Sequence, residues 1–173
     1  MGLTQQVADY VFNVSYRKIP KEVVGLARGF ILDGLGVALA GSTDNCSRIL
    51  RAHLREMGGK ADCAVLGTGL FLPPAKAALA NGVAGHAMDY DDTQLSTSKE
   101  GVYGLLTHPT SPVLAAVLAM GEKQKIGGPE FLEAYIVGVE VECRIADSIN
   151  PRHYQSGFHS TATIMADIPS SIK

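Results

Sequence analysis

The sequence predicts a mainly α-helical fold, a packed array of about six helices, and three observations support this. Apolar residues recur at helical spacing along most of the 173-residue chain. Prolines, hydroxyl residues or acids stand where these segments begin, and glycine pairs or an Asn-Pro pair stand where several of them end. Strand patterns are nearly absent, and only the short run CAVLG near residue 65 is expected to be extended.

The N-terminal part of the chain predicts three helices. The first follows Thr4, and the second begins at Pro20 and runs toward Gly41. The third opens at Asp44 and ends at the glycine pair after Met57. Glycines within the second helix weaken it by about 1 kcal/mol each relative to alanine. We expect them to allow close approach of neighbouring helices; they are Gly25, Gly29, Gly34 and Gly36.

Three more helices are predicted after the short extended segment. The fourth starts at the proline pair 73–74 and continues through the motif GHAMDYDDT as far as Thr93. The fifth covers about residues 112–125. The sixth starts at Pro129 and ends near Asn150.

Composition excludes several classes of protein. Apolar residues make up 46% of the chain and charged residues 18%, which is too apolar for a disordered chain. The net charge is -2 without any block of like charge, so no nucleic-acid or anionic-membrane partner is expected. The longest apolar run contains Arg28 and Asp33, which favours a packed core helix over a membrane span.

The cysteines and the first residues of the chain predict the cellular compartment of the protein. Cys46, Cys63 and Cys143 are widely spaced and form no Cys-x-x-Cys motif, which is typical of reduced thiols. The first residues show neither a signal peptide nor a transit peptide. We expect a cytoplasmic protein, with mitochondria as the alternative for a eukaryotic source.

A set of polar residues follows the alanine-rich part of the fourth helix. Helical spacing places His86, Asp89 and Thr93 on one side, with Asp92 close to it, and predicts that Asp91 points elsewhere. Carboxylates at a helix C-terminus are unfavourable by about 0.3–1 kcal/mol each, so helix stability does not explain them. They are either a solvated helix end or part of a functional site.

Histidine and aspartate three residues apart can both bind a metal, but no second histidine pair supports that interpretation. We therefore expect no metal. His108 stands in the proline-rich segment THPTSP, and His159 precedes hydroxyl residues that can cap a helix. Histidines on two loops, together with carboxylates, suit acid–base chemistry on a small acid. We predict that Asp89, Thr93, His108 and His159 converge within about 10 Å, a few hydrogen-bond lengths.

Three segments together resemble the MmgE/PrpD family: GHAMDYDDT, THPTSPVLAAVLAMGE and YIVGVEVECRIADSINPRHYQSGFHSTAT. The resemblance implies a cofactor-free lyase or isomerase, usually a homodimer, that acts on a small polycarboxylate by proton transfer beside a carboxylate. 2-Methylcitrate dehydration is the default reaction. By matching positions, Asp89, His108 and His159 would be catalytic, and Thr93 would bind substrate.

The resemblance extends through Thr163, after which the chain departs from the family pattern. We expect residues 1–163 to form part of the family's helical domain, residues 164–173 to form a divergent tail, and the second, α+β domain to be absent. Three hypotheses follow. The chain is a polycarboxylate lyase of this family, a truncated and catalytically silent helical module or dimerising partner, or a metal-dependent hydrolase.

Overall fold

The computed structural model of the chain describes residues 2–149, which form a mainly α-helical array, as predicted. Six α-helices follow one another along this part of the chain. Their bounds are α1 Leu3–Asn13, α2 Lys21–Gly41, α3 Asn45–Glu56, α4 Pro74–His86, α5 Thr110–Gln124 and α6 Gly128–Ser148. A short 3-10 turn, Tyr16–Lys18, separates α1 from α2.

Two small antiparallel hairpins accompany the helices in the described part of the chain. β1, Cys63–Ala64, pairs with β2, Phe71–Leu72, with Cys63 opposite Leu72. This confirms the predicted extended segment. β3, Thr97–Ser98, pairs with β4, Gly101–Val102, in the long connection between α4 and α5. The sequence did not predict this second hairpin.

Local sequence explains where the helices begin. Pro74 occupies the first turn of α4, where a missing N–H costs no hydrogen bond. The Asp44 carboxylate caps α3 by accepting a hydrogen bond from the Cys46 N–H at 2.9 Å, as the sequence predicts. Lys125 ends α5 in a left-handed conformation and is followed by the predicted glycine break.

Helices α2, α4 and α5 meet through small residues. Gly34 faces Thr110, and a Cβ at Gly34 would come within 2.6 Å of the Thr110 methyl group. A Cβ at Gly41 would overlap the carbonyl oxygen of Ala84, and one at Gly85 would lie 2.5 Å from the Ser111 hydroxyl. The packed glycines bring α4 close to α2 and α5.

The glycines of α2 were predicted to allow close approach of neighbouring helices, and apart from Gly34 this prediction is wrong. Gly25, Gly29 and Gly36 have no heavy atom within 4 Å of a Cβ built on them, so they lie on an open face. That same face exposes Leu32, which is 73% accessible. Helix α2 is also long and apolar enough to cross a membrane by length and composition alone, a test that core helices also pass.

The core lies between α2, α5 and α6. Val113, Val117 and Tyr135 are almost fully buried there, with Ala27 of α2 packed against them. A second cluster joins α3, α4 and the first hairpin around Cys63 and Ala77. The C-terminal half of α4 lies beside the N-terminal end of α5, where the Ser111 hydroxyl donates to the Gly82 carbonyl at 3.2 Å.

Candidate active site

Helix α4 ends at His86, earlier than the sequence predicts. Residues 87–89 form a turn, and Asp89 adopts a left-handed conformation with φ of 54°. Aspartate is one of the few residues other than glycine that enters this region readily. The predicted helical face shared by His86, Asp89 and Thr93 is therefore wrong, because the backbone leaves the helix before Asp89.

Two histidines and two aspartates nevertheless meet at this helix end. His108 Nε2 lies 3.9 Å from Asp89 Oδ1, and His108 Nδ1 lies 3.5 Å from Asp91 Oδ1. His86 Nδ1 lies 2.9 Å from Asp91 Oδ1 and 3.1 Å from Asp91 Oδ2. The two imidazole rings contact edge to face, with centroids 4.7 Å apart. The predicted proximity of Asp89 and His108 is thus observed.

Asp91 occupies the centre of this cluster, which corrects the prediction that it points elsewhere. Its side chain is 2% exposed, whereas the Asp89 side chain is 76% exposed. The early end of α4 turns Asp91 inward, where its Oδ1 lies 2.9 Å from His86 Nδ1 and 3.5 Å from His108 Nδ1. Sequence reasoning had placed Asp91 away from this set, and it had weighed His86 as a metal ligand but not predicted it to be catalytic.

His108 is positioned by backbone pairing of the residue before it. Thr107 and Gln94 form an antiparallel bridge, with N–H to carbonyl distances of 2.9 and 3.0 Å. The Thr107 hydroxyl also donates to Glu142 of α6, a residue that is completely buried. These contacts fix the chain at the point where His108 enters the cluster and Pro109 leads into α5.

Asp92 has a structural role at the start of α5. Its carboxylate accepts hydrogen bonds from the Thr110 N–H at 3.0 Å and from the Thr110 hydroxyl at 2.7 Å. The Thr110 hydroxyl also lies 2.5 Å from the Tyr135 hydroxyl. Burial raises the pKa of Tyr135 to about 12, so the phenol stays protonated. Asp92 therefore ties the loop to α5, and it is not one of the four residues of the cluster.

Two other predicted residues are not seen in the cluster. Thr93 is exposed and is not among the residues that line the neighbouring cavity. The predicted hydroxyl-bearing helical face does not form, because α4 ends before it. His159 lies outside the described residues.

The cluster forms the polar end of a cavity of about 900 Å³ between α4 and α5. The remaining wall is largely apolar and includes Leu79, Val83 and Ala115. Among the described residues, no lysine or arginine lines this cavity. The lining instead includes two carboxylates and two imidazoles.

The cluster can also be considered as a set of metal ligands. His86, Asp89, Asp91 and His108 each offer one donor atom, and these atoms all lie within 4.8 Å of one another. The sequence argument against a metal relied on the lack of a second histidine pair, and the fold brings His108 to the first one. Tetrahedral zinc has bonds of about 2.0–2.2 Å, so its donor atoms must lie closer together than the widest of these separations.

Comparison with known proteins identifies the family of this chain. Residues 5–167 match the model of the MmgE/PrpD N-terminal domain, which covers most of the chain. The chain belongs to the MmgE/PrpD family. The MmgE/PrpD assignment confirms the resemblance carried by the DYDDT and THP segments.

Named relatives of this MmgE/PrpD chain are similar over most of its length. Cis-aconitate decarboxylase of Homo sapiens is 30% identical over 149 residues, which are 83% of this chain and 29% of that protein. Cis-aconitate decarboxylase of Aspergillus terreus is 29% identical over 153 residues, which are 86% of this chain and 30% of that protein. The chain thus spans less than a third of the length of these two relatives.

Proposed function

We propose that this chain carries part of the active site of a lyase that acts on a small polycarboxylate by proton transfer beside a carboxylate. The observation that supports this most directly is the placement of His108 between Asp89 and Asp91 at the wall of a cavity. An imidazole titrates near neutrality, so it can take or deliver a proton at physiological pH. Oriented carboxylates fix which ring nitrogen does so.

Roles follow from the geometry and from the family pattern. We assign His108 as a proton-transfer group and Asp89 as its exposed neighbour, which either orients the imidazole or acts as the base. His159 and Thr93 remain predicted catalytic and substrate-binding residues by their match to the family motif. A homodimer, as is usual for the family, and a cytoplasmic location, as the cysteines suggest, are part of the same proposal.

The relatives suggest the order in which substrates should be tested. The similar proteins described above are named cis-aconitate decarboxylases, so cis-aconitate comes first. 2-Methylcitrate and iminodisuccinate follow, since the family uses one scaffold for several reactions. All three share a carbon beside a carboxylate, at which a proton must be removed or delivered.

Charge limits what the described residues can do alone. A polycarboxylate needs cations to hold it and to stabilise the carbanion-like transition state. The described lining of the cavity has none, and Arg144 on α6 is paired with Glu140 at 2.5 Å. Loss of one preorganised electrostatic group typically costs about 10²–10³ in rate. We therefore expect slow or undetectable turnover by this chain alone.

The direct test incubates the purified chain with each of the three acids and follows them by NMR. Turnover that is lost in both His108→Ala and Asp89→Ala would establish the site and show that the chain needs no further residues. Undetectable turnover with saturable binding at the cluster would support the site and the missing cations. Absence of both would favour the alternative, a catalytically silent helical module.

A second candidate function rests on the four donor atoms within 4.8 Å. A metal ion held there could activate water, which would make the chain a metal-dependent hydrolase. Elemental analysis of protein purified without chelator tests this candidate. Stoichiometric zinc or manganese that is lost in His86→Ala would favour the hydrolase, whereas metal-free protein that binds the polycarboxylates would favour the lyase.

A further inference from the structure

Two imidazole rings share one buried carboxylate in this site. His86 Nδ1 is hydrogen-bonded to Asp91, at 2.9 Å to Oδ1 and 3.1 Å to Oδ2. His108 Nδ1 lies 3.5 Å from Asp91 Oδ1 and has no closer hydrogen-bond partner. Both rings therefore direct Nδ1 toward Asp91 and leave Nε2 as the nitrogen available for other contacts.

The Asp91 carboxylate decides where the His86 proton lies. A carboxylate only accepts hydrogen bonds, so the nitrogen that bonds to it must carry the hydrogen. His86 is then held with a proton on Nδ1, which leaves the lone pair of its Nε2 available. His86 lines that cavity, and its side chain is 52% exposed.

We propose that His86 is a second proton-transfer residue of this site and that Asp91 is the positioning residue that fixes its tautomer. The proposal rests on the lyase function for its substrate, a small acid with a C–H bond beside a carboxylate. Asp91 acts only through His86 and His108, because its own side chain is almost fully buried.

Two neighbouring imidazoles provide the two proton transfers that an elimination requires. In the loss of water from a hydroxy acid, one Nε2 takes the proton from the carbon beside the carboxylate. The electron pair of that C–H bond forms the double bond, and the C–O bond breaks. The other ring, which starts with a proton on both nitrogens, gives its Nε2 proton to the departing hydroxide, which leaves as water, and the ring becomes neutral. A ring separation of 4.7 Å allows both rings to face one substrate.

The tautomer is measured on the full 173-residue chain labelled with ¹⁵N-histidine, by two-dimensional NMR that links each ring nitrogen to its ring protons. The sample is held at about pH 8, above the ordinary titration range of imidazole. We expect His86, assigned through His86→Gln, to carry a proton on Nδ1. In Asp91→Asn the amide can donate to the ring, and we expect the Nδ1 proton signal to be lost.

Asp89→Asn is the matched control, because Asp89 lies near Nε2 of His108 rather than near His86 Nδ1. It should leave the His86 signals unchanged. Bare Nδ1 on wild-type His86 would overturn the proposal, and so would equal changes in the two variants. The wild-type measurement decides the tautomer even where Asp91→Asn fails to fold, which circular dichroism would show.

Addition of cis-aconitate separates this proposal from the lyase function. A shift of His86 Nε2 together with the His108 signals would support direct contact of both rings with substrate. A shift of His108 alone would keep the lyase site and overturn the role of His86. The expected tautomer without any shift on adding cis-aconitate, 2-methylcitrate or iminodisuccinate would leave the hydrogen bond in place but overturn both His86 catalysis and the polycarboxylate function.

Discussion

Replacing Asp92 with alanine is expected to destabilise the fold far more than an ordinary loop substitution. Asp92 accepts two hydrogen bonds from Thr110, one from the first N–H of α5 and one from the hydroxyl. Hydrogen bonds to a charged group contribute about 1.5–3 kcal/mol each. A negative charge at a helix N-terminus adds about 0.3–1 kcal/mol.

Asp92 is half-buried, so we take the lower value for each contribution. Water can also replace part of the hydrogen bonding that the substitution removes. The expected decrease in the free energy of unfolding is about 2–4 kcal/mol. Part of it comes from the nearly buried Thr110, whose N–H loses its acceptor. The same change should loosen the loop that carries Asp89 and Asp91.

Urea unfolding followed by circular dichroism measures this loss. Asp33→Ala is the matched control, since Asp33 is exposed on α2 and should change the stability by less than about 0.5 kcal/mol. A double-mutant cycle with Thr110→Val should give a coupling energy above about 1 kcal/mol. Equal effects of Asp92→Ala and Asp33→Ala, or no coupling, would refute the role assigned to Asp92.

Three other predictions can be checked by standard measurements. Gly41→Ala should cost about 3 kcal/mol or more in urea unfolding because its Cβ meets the backbone of α4, whereas Gly36→Ala, with open space around it, should be neutral or stabilising. Burial raises the pKa of Cys143 to about 12, so the native state holds a proton that the unfolded thiol releases. The stabilisation from this bound proton is complete below about pH 8.5 and is lost as the pH rises toward 12. Cys143→Ser should therefore make the urea midpoint fall less steeply over that pH range. Leu32→Lys should reduce self-association in light scattering more than Ile49→Lys does, because Leu32 lies beside the open glycines of α2.

The sequence predicted the helices well because their starts have local causes. Asp44 caps α3 as expected, and Pro74 lies in the first turn of α4. The error at the end of α4 also has a local cause. The prediction extended helical spacing past His86, although carboxylates at a helix C-terminus oppose its dipole. That conflict, together with the tolerance of aspartate for left-handed backbone, would have favoured an earlier end of α4.

The rest of the site depends on contacts between distant parts of the chain. His86 and His108 meet because packed glycines bring α4 against α5 and because Thr107 pairs with Gln94. Neither contact follows from spacing within one helix. The β3–β4 hairpin was missed for a related reason, since strands of two residues carry too little alternation to be recognised.

The most direct test of the central claim, that this cluster is a polycarboxylate site, is a titration of the histidine ring signals with cis-aconitate. We predict saturable shifts for His108 and His86, with a dissociation constant on the order of 1 mM, corresponding to about -4 kcal/mol, because the described lining offers no lysine or arginine. The exposed His53 of α3 should stay unchanged, and acetate at the same ionic strength should produce no saturable shift. Equal shifts of all three histidines, or none at His108 up to a concentration of roughly ten times that constant, would contradict the claim.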